Sequence, residues 1–289
     1  MTYKFEGDIT KLDLNTDHYN DQNALFFADC ARLAYEPEST IQQVMQNQLG
    51  FKNFHFFTNK NLDKKTSTEA FIASNEEMII VAFRGTQELA DFLRDAAFRL
   101  EDGPAGQVHR GFKRGLKEVW DNADVSMKSY IEQCQDNNQS IWFCGHSLGA
   151  ALATLAAANY VLQDNVSNAS SIKGIYTIGQ PRVGNSTFAA GFDAILATKC
   201  FRIVNNSDAV PMLPPLGFLL KYRHVGQLCY IDSDGGLQLT RSWWHKILDI
   251  LKGIHEDLGI VGFDGLKNHK SAEYIAALQK IKEVSFTSK

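Results

Sequence analysis

A glycine-flanked serine limits the possible folds of this chain more than any other feature. The segment Gly145–Gly149 reads GHSLG and fits the pattern G-x-S-x-G, in which the serine occupies a sharp turn between a strand and a helix. A short apolar strand is predicted directly before it at Ser140–Cys144, and an alanine-rich helix directly after it at Ala150–Leu162. Glycines are needed at this turn because neighbouring side chains would collide there. The context predicts a strand–turn–helix unit with Ser147 as a candidate nucleophile.

Strand and helix patterns alternate along the rest of the chain. Short runs rich in Phe, Ile and Val predict further strands, whereas apolar residues spaced three and four apart predict helices. The predicted strands are Phe51–Phe57, Glu69–Ser74, Met78–Phe83, Gly174–Ile178 and Cys200–Val204, and the predicted helices are Ala24–Tyr35, Val119–Cys134, Asn185–Leu196 and Ala272–Ile281. Such alternation is typical of a mostly parallel sheet covered by helices. We therefore predict an α/β fold.

The length and charge of the chain favour one globular unit without a nucleic-acid partner. No repeat, low-complexity block or linker rich in Pro, Gly and Ser divides the 289 residues, so a single domain over residues 1–289 is predicted. The 29 basic and 33 acidic side chains give a formal net charge of −4. This balance leaves no broad basic face to hold a phosphate backbone.

Neither a membrane-spanning segment nor a cleaved secretory signal is predicted. The longest apolar stretch, Ala150–Leu162, is shorter than the roughly 18 residues that indicate a membrane span. The first residues carry three acidic side chains and no apolar core, so we expect a protein that stays in the cytoplasm or is exported without a cleaved signal. The cysteines are odd in number and contain no CxxC pair, and we expect thiols in core or strand positions; they are Cys30, Cys134, Cys144, Cys200 and Cys229.

A serine hydroxyl requires a base that takes its proton, and an acid that orients the base. In the chain order of this motif, the acid and then the histidine follow the serine. Asp208 follows the predicted strand Cys200–Val204 at its carboxyl end, where the site loops of parallel sheets gather, and is favoured as the acid. The alternatives are Asp193, in a helical pattern, and Asp232 and Asp234, in a turn.

Four histidines follow Asp208, and their spacing does not choose among them; they are His224, His245, His255 and His269. His245 lies in an amphipathic helical pattern at Arg241–Leu258, which favours a position on the helix surface. His269 lies in a loop directly before the predicted helix Ala272–Ile281, where an imidazole can reach the edge of the sheet. From the residues alone, the base stays open.

Five stretches of the sequence resemble the class 3 lipases, a family with the α/β-hydrolase fold. They occur in the family's order over roughly residues 75–275 and are Val81–Thr86, Val108–Phe112, Gly145–Ala150, Gly179–Gly184 and Asn205–Pro211. The N-terminal 70 residues resemble the family only loosely, through the helix predicted at Ala24–Tyr35. The resemblance implies a mostly parallel central sheet with helices on both faces.

The resemblance also implies roles for individual residues. Ser147 would be the nucleophile, Asp208 the orienting acid and His269 the general base. Thr86 and the backbone N–H of Leu148 would form the oxyanion hole, and Asp95 would hold the Thr86 hydroxyl in place.

One position departs from the family pattern. The family often has Asp before its catalytic histidine, whereas this chain has Asn268. His224 is therefore the alternative base, although the resemblance treats it as structural.

The implied reaction is ester hydrolysis through an acyl-serine, without a metal or an organic cofactor. The segment 87–100 matches the family's lid and presents an apolar face, which favours water-insoluble esters at a lipid–water interface. A triacylglycerol lipase is the first expectation. The alternatives are a phospholipase, an esterase for soluble aryl or feruloyl esters, and an inactive binding relative. An apolar docking surface could also include Phe218, Leu219, Leu220, Trp243 and Trp244.

Overall fold

The structure is a computed structural model that describes residues 3–58, 67–86, 99–121, 125–135, 139–164, 169–206, 208–214, 222–239 and 269–287. These ranges include Ser147, Thr86, Leu148, Asp208 and His269. Asp95, His245, His255 and the lid segment up to residue 98 lie outside the described residues, as does the predicted docking surface.

An eight-stranded sheet forms the centre of the described fold, and a separate hairpin lies beside it. The strands are β1 (Asn53–Thr58), β2 (Glu69–Ser74), β3 (Met78–Phe83), β4 (Leu100–Gly103), β5 (Gly106–His109), β6 (Ser140–His146), β7 (Ile172–Ile178), β8 (Cys200–Asn205), β9 (Gln227–Ile231) and β10 (Leu237–Gln238). The sheet order is β1-β2-β3-β6-β7-β8-β9-β10, and β4 pairs with β5. The central strands from β3 to β9 run parallel, whereas the outer pairs are antiparallel. The predicted mostly parallel sheet is confirmed.

Seven α-helices are described around this sheet. They are α1 (Asp21–Leu33), α2 (Glu38–Gln42), α3 (Arg110–Trp120), α4 (Met127–Cys134), α5 (Leu148–Ala158), α6 (Ser186–Leu196) and α7 (Ser271–Thr287). Short 3₁₀ turns occur at Ile9–Lys11, Ala197–Lys199 and Val210–Met212, and π-helical turns continue α2 at Gln43–Gln48 and α5 at Asn159–Asp164.

The central strands are buried on both faces of the sheet. Because successive side chains of a strand point to opposite sides, each strand contributes residues to two cores. In β3, Ile79 and Val81 pack into one core, together with residues of α3, α4, α5 and α6. Met78 and Ile80 pack into the other core, together with residues of α1, α2 and α7. The predicted helices on both faces of the sheet are therefore confirmed.

One sequence prediction needs correction. The helical pattern predicted as one stretch at Val119–Cys134 is divided, since α3 ends at Trp120 and α4 begins at Met127. Ser126 sets the new start, because its hydroxyl accepts a hydrogen bond from the backbone N–H of Ser129 at 3.0 Å. The lid predicted at 87–100 stays a prediction, and its last residue, Leu100, is also the first residue of β4.

The five cysteines are free thiols and all are buried, as predicted. Three of them lie in β6, β8 and β9, and two lie in α1 and α4. Within the described part of the chain, no helix combines the length and apolar character needed to cross a bilayer.

Candidate active site

The backbone of Ser147 forms the sharp turn that the sequence predicts. β6 ends at His146, α5 begins at Leu148, and Ser147 between them has φ 62° and ψ −126°. This conformation is costly for a residue with a side chain, by about 1–3 kcal/mol. It is held by the Ser147 N–H, which donates to the carbonyl of Ile178 on β7 at 2.9 Å. The helix also begins on this residue, since the Ala150 N–H donates to the Ser147 carbonyl at 3.0 Å.

The flanking glycines are required by the space around them. A Cβ on Gly145 would lie 2.3 Å from the backbone carbonyl carbon of Gly149, and a Cβ on Gly149 would lie 2.2 Å from the carbonyl oxygen of Phe83. These contacts are with backbone atoms, which cannot rotate away. The predicted reason for both glycines, collision at the turn, is confirmed by these distances.

Asp208 and His269 meet at the carboxyl edge of the sheet. Asp208 lies three residues beyond β8 and His269 two residues before α7, and both side chains are buried. His269 Nδ1 and Asp208 Oδ2 are 2.8 Å apart. Because an ionised carboxylate only accepts hydrogen bonds, this contact places a proton on Nδ1 and leaves Nε2 as an acceptor. The other carboxylate oxygen, Oδ1, accepts the backbone N–H of Val210 at 2.8 Å.

Two complementary atoms at this edge have no hydrogen-bond partner among the described residues. They are the hydroxyl oxygen of Ser147 and Nε2 of His269, and both are buried. Most buried polar atoms in proteins are hydrogen-bonded, so each such exception calls for an explanation. One atom is a hydroxyl donor and the other a nitrogen acceptor, and nucleophilic catalysis needs a proton to pass between two such groups. In structures without substrate, the hydrogen bond between a catalytic donor and its base is often long and shortens only when substrate binds.

His146, the residue before the serine, supports His269. Their rings stack with centroids 4.5 Å apart, and His146 Nε2 lies 2.7 Å from the backbone carbonyl oxygen of His269. Because a carbonyl only accepts, Nε2 carries the proton and Nδ1 accepts from the Tyr35 hydroxyl at 2.9 Å. Burial lowers the pKa of His146 well below its ordinary value, and the neighbouring His269 lowers it further. His146 is thus a neutral residue that holds the backbone and ring of His269.

Tyr274 is part of the site and was not predicted from the sequence. Its hydroxyl donates to Asp208 Oδ2, the same oxygen that faces His269, and it accepts the backbone N–H of Asn205 at 3.1 Å. Its side chain is fully buried on α7. The only signal in the sequence is a tyrosine in the helix that follows His269, which by itself indicates core packing.

Gly179 gives Asp208 and His269 the space to meet. Its φ is +60°, and a Cβ at this position would lie 2.7 Å from both Asp208 Oδ2 and His269 Cε1. Its N–H donates to the carbonyl of Ile203 on β8 at 3.0 Å. Gly179 thus contributes backbone to the site without a side chain.

The two predicted oxyanion donors lie at the same edge of the sheet. Thr86 lies three residues beyond β3, which pairs in parallel with β6 up to Phe83 and Gly145. Leu148 is the first residue of α5, and the N–H groups of a helix's first turn have no acceptor within the helix. Gly85 packs directly against the turn, since a Cβ there would lie 2.6 Å from the carbonyl oxygen of His146. The fold therefore holds the Thr86 segment beside the serine.

The alternative bases and acids that are described lie in structural positions. Pro211's carbonyl oxygen is 2.9 Å from His224 Nε2, and burial lowers the pKa of His224 well below its ordinary value. Asp193 lies in α6, where its Oδ1 accepts the backbone N–H of Gly226 at 2.7 Å. Asp232 accepts the backbone N–H of Asp234 at 3.1 Å in a turn before β10. None of these three side chains contacts Ser147 or His269 through a hydrogen bond described here.

Another buried histidine, His109, is the N-cap residue of α3. Its Nδ1 accepts the backbone N–H of Phe112 at 3.4 Å, and burial lowers the pKa of His109 to about 4. Among the described residues, no group of three or more His, Cys, Asp or Glu side chains is arranged to hold a metal ion.

Comparison with known proteins gives a consistent picture. Residues 80–218 match the sequence profile of the family described as Lipase (class 3). The chain is 29% identical over 215 residues to "Phospholipase A1-II 4" of Oryza sativa subsp. japonica, covering 65% of this chain and 53% of the rice protein. It is 32% identical over 163 residues to "Secreted mono- and diacylglycerol lipase MDL3" of Malassezia globosa, covering 53% and 51%. The chain thus spans about half the length of these curated relatives.

A solved structure is also similar. The lipase from Rhizopus microsporus var. chinensis superimposes with a TM-score of 0.57 at 27% identity, over 72% of this chain and 74% of that one. The α/β-hydrolase fold predicted from the sequence is thereby confirmed. With the family profile aligned across the strand–turn–helix unit and Asp208, this chain belongs to the class 3 lipase family.

Proposed function

We propose that this chain is a serine carboxylic-ester hydrolase that releases fatty acids from acylglycerols through an acyl-serine intermediate. One observation carries the proposal. The Ser147 hydroxyl and His269 Nε2 are buried without a hydrogen-bond partner among the described residues, while His269 Nδ1 faces Asp208 at 2.8 Å. A serine, a base with a free acceptor nitrogen and an orienting carboxylate are the components of nucleophilic ester cleavage.

In the proposed reaction, the Ser147 oxygen attacks the ester carbonyl carbon as His269 Nε2 takes the hydroxyl proton. The tetrahedral intermediate collapses when the ester C–O bond breaks, and His269 returns the proton to the leaving alcohol. A water molecule then gives a proton to Nε2 and attacks the acyl carbon. The bond from that carbon to the Ser147 oxygen breaks, and His269 returns the proton to this oxygen, which releases the fatty acid and restores Ser147 and the neutral imidazole. Asp208 keeps the imidazole in the Nδ1–H form and stabilises the imidazolium that forms in each step.

We propose Thr86 and the backbone N–H of Leu148 as the donors to the oxyanion. The support is that Thr86 follows β3 and Leu148 follows the serine turn after β6, at the carboxyl ends of two adjacent parallel strands. Donors fixed by the fold stabilise the developing charge without reorganisation, and each is typically worth about 10²- to 10³-fold in turnover. Asp95, proposed to hold the Thr86 hydroxyl, lies outside the described residues.

The substrate class is proposed from the relatives and from the sequence. The Malassezia globosa relative is named for mono- and diacylglycerols. Residues 87–100 carry the apolar pattern of a lid, which favours a substrate presented at a lipid–water interface. We propose one domain over residues 1–289, with this segment as its lid.

The test is titration of the fatty acid released from an emulsified medium-chain triacylglycerol, with the substrate raised through its solubility limit. We expect release by the wild-type chain, with a rate that jumps above the limit, and no release by Ser147→Ala. Ser39→Ala is the matched control, because Ser39 is exposed on α2. Release that survives Ser147→Ala, or no labelling of Ser147 by a fluorophosphonate probe, would overturn the proposed chemistry.

Phospholipid hydrolysis is the second candidate, favoured by the similarity to the rice protein named phospholipase A1. The same titration with a phosphatidylcholine dispersed in detergent micelles distinguishes the two. Serine-dependent release from the phospholipid alone would support the phospholipase, whereas release from the triacylglycerol alone would support the lipase.

A further inference from the structure

Two buried arginines line a cavity near the end of β8. Arg182 and Arg202 are only 5% and 2% exposed, and both line a cavity of about 30 Å³ whose wall also includes His224, Tyr230 and Asp208. Guanidinium groups are rarely buried to this extent unless they are paired with an anionic group. The cavity therefore holds an unusual concentration of positive charge.

Few of the N–H groups of these arginines are hydrogen-bonded within the described chain. Arg202 donates from Nε to the carbonyl of Val225 at 2.6 Å. Arg182 donates from Nη1 to the carbonyl of Pro214 at 2.9 Å and to that of Met212. Each guanidinium carries five N–H donors. Most donors of both groups thus lack a protein acceptor in the part of the chain that is described.

The charges of the two arginines also lack a direct counter-ion. No described carboxylate forms an ion pair with either side chain. Asp208 lines the cavity, yet its two oxygens face His269, Tyr274 and the Val210 N–H. Asp193 attracts Arg202, but this attraction does not offset burial.

The lack of a counter-ion is reflected in the pKa of Arg182. Burial, and next the guanidinium groups of Arg202 and Arg223, lower the pKa of Arg182 to about 10. Taking an unpaired charge out of water costs several kcal/mol. An anion between the two arginines would remove both the repulsion and the unpaired charge.

We propose that this cavity binds a small monovalent anion of the size of chloride between Arg182 and Arg202. A cavity needs about 10–15 Å³ to hold one water molecule. The observed volume of about 30 Å³ thus suits a single halide.

The anion site would stabilise the loop that carries Asp208. Arg182 holds the carbonyls of Met212 and Pro214, and its own backbone N–H donates to the Leu213 carbonyl at 2.9 Å. These residues follow Asp208 closely. An anion that binds the folded chain and not the unfolded chain raises the melting temperature in a saturable way.

The first test is thermal unfolding of the full chain in sodium chloride or sodium bromide against sodium gluconate at constant ionic strength. We expect a melting temperature that rises saturably with halide for the wild type and does not respond in Arg202→Met. The control Arg114→Gln removes an exposed arginine of α3 and should keep the response. A wild type that does not respond to halide, or an equal response in Arg202→Met, would overturn the proposal.

The second test uses the unaltered chain and decides the matter if Arg202→Met does not fold. Crystals soaked in sodium bromide should show an anomalous-scattering peak between the Arg182 and Arg202 guanidinium groups. A data set with bromide peaks elsewhere and none in this cavity would refute the site.

Discussion

Tyr274→Phe removes the hydroxyl that donates a hydrogen bond to Asp208, the proposed orienting acid. The hydroxyl donates to Asp208 Oδ2 and accepts the Asn205 N–H at 3.1 Å, so both contacts are lost. The phenyl ring can keep its packing, including its edge contact with His146 at a centroid distance of 6.1 Å. The variant thus tests one hydrogen-bonding group in an otherwise unchanged core.

The expected magnitude follows from the charge of the acceptor. A hydrogen bond to a charged group contributes about 1.5–3 kcal/mol to stability. We therefore expect the free energy of unfolding to fall by about 2 kcal/mol. Without the hydroxyl, Asp208 Oδ2 is held only by His269 at 2.8 Å, and the carboxylate is less firmly placed when the imidazolium forms. We expect kcat to fall about tenfold, which corresponds to about 1.4 kcal/mol of barrier, with KM nearly unchanged.

The measurement combines urea unfolding with kcat and KM on a short-chain ester. Tyr160→Phe is the matched control, because Tyr160 is equally buried and donates to Gln135 at 2.9 Å, away from the site. The control should lose stability and keep kcat. If Tyr274→Phe folds and keeps wild-type kcat, Tyr274 has only a packing role, and the positioning argument is wrong.

Three further predictions concern the oxyanion hole, acid stability and the space around the triad. Thr86→Ala should lower kcat by about 10²- to 10³-fold without unfolding the chain, whereas Thr86→Ser should keep most of the activity; equal loss in both would contradict a hydroxyl role. Because burial lowers the pKa of His109 to about 4 from 6.5, the unfolded chain binds a proton between these values that the folded chain does not. The stability from this residue is therefore fully present above about pH 6.5 and declines as the pH falls, by about 3 kcal/mol near pH 4. In His109→Asn, which can still cap the helix, the free energy of unfolding measured in urea should fall by about 3 kcal/mol less between pH 6.5 and pH 4 than in the wild type. An equal fall in both proteins would refute the lowered pKa of His109. Gly179→Ala should lower kcat more than tenfold, because the new Cβ would lie 2.7 Å from Asp208 Oδ2. Its control, Gly50→Ala, has a similar φ of +76° with no atom within 4 Å, and it should lose stability alone.

The fold was predictable where single segments carry their own pattern. The predicted bounds of β2 and β3 are those observed. The short, mostly apolar segment that predicts each strand is also the segment that the sheet buries, so local pattern and tertiary packing favour the same bounds. β4 and β5 were not predicted, since charged residues and glycines make up half of these short strands, and the strands are defined by their pairing rather than by an apolar pattern. The gap between α3 and α4 was missed because the apolar spacing continues on both sides of it.

The site was predictable in part, for a different reason. The position of Ser147 follows from its own neighbours, so the turn could be derived from five residues. His269 was chosen from four histidines by family resemblance, because local sequence does not tell which loops meet at a sheet edge. Tyr274 and Tyr35 carry no local signal, since their contacts span 66 and 111 residues of sequence.

The motif GHSLG does more in this chain than present a serine. Ser147 is its central residue, and His146 beside it holds the backbone of His269, so one turn places the proposed nucleophile and supports the proposed base. This support requires a neutral imidazole, because a charged ring stacked at 4.5 Å would repel the imidazolium formed in each proposed step. Burial supplies that neutrality, and the Tyr35 hydroxyl fixes the tautomer that donates to the His269 carbonyl. The N-terminal region, which resembles the family only loosely, therefore contributes to the geometry of the base through Tyr35.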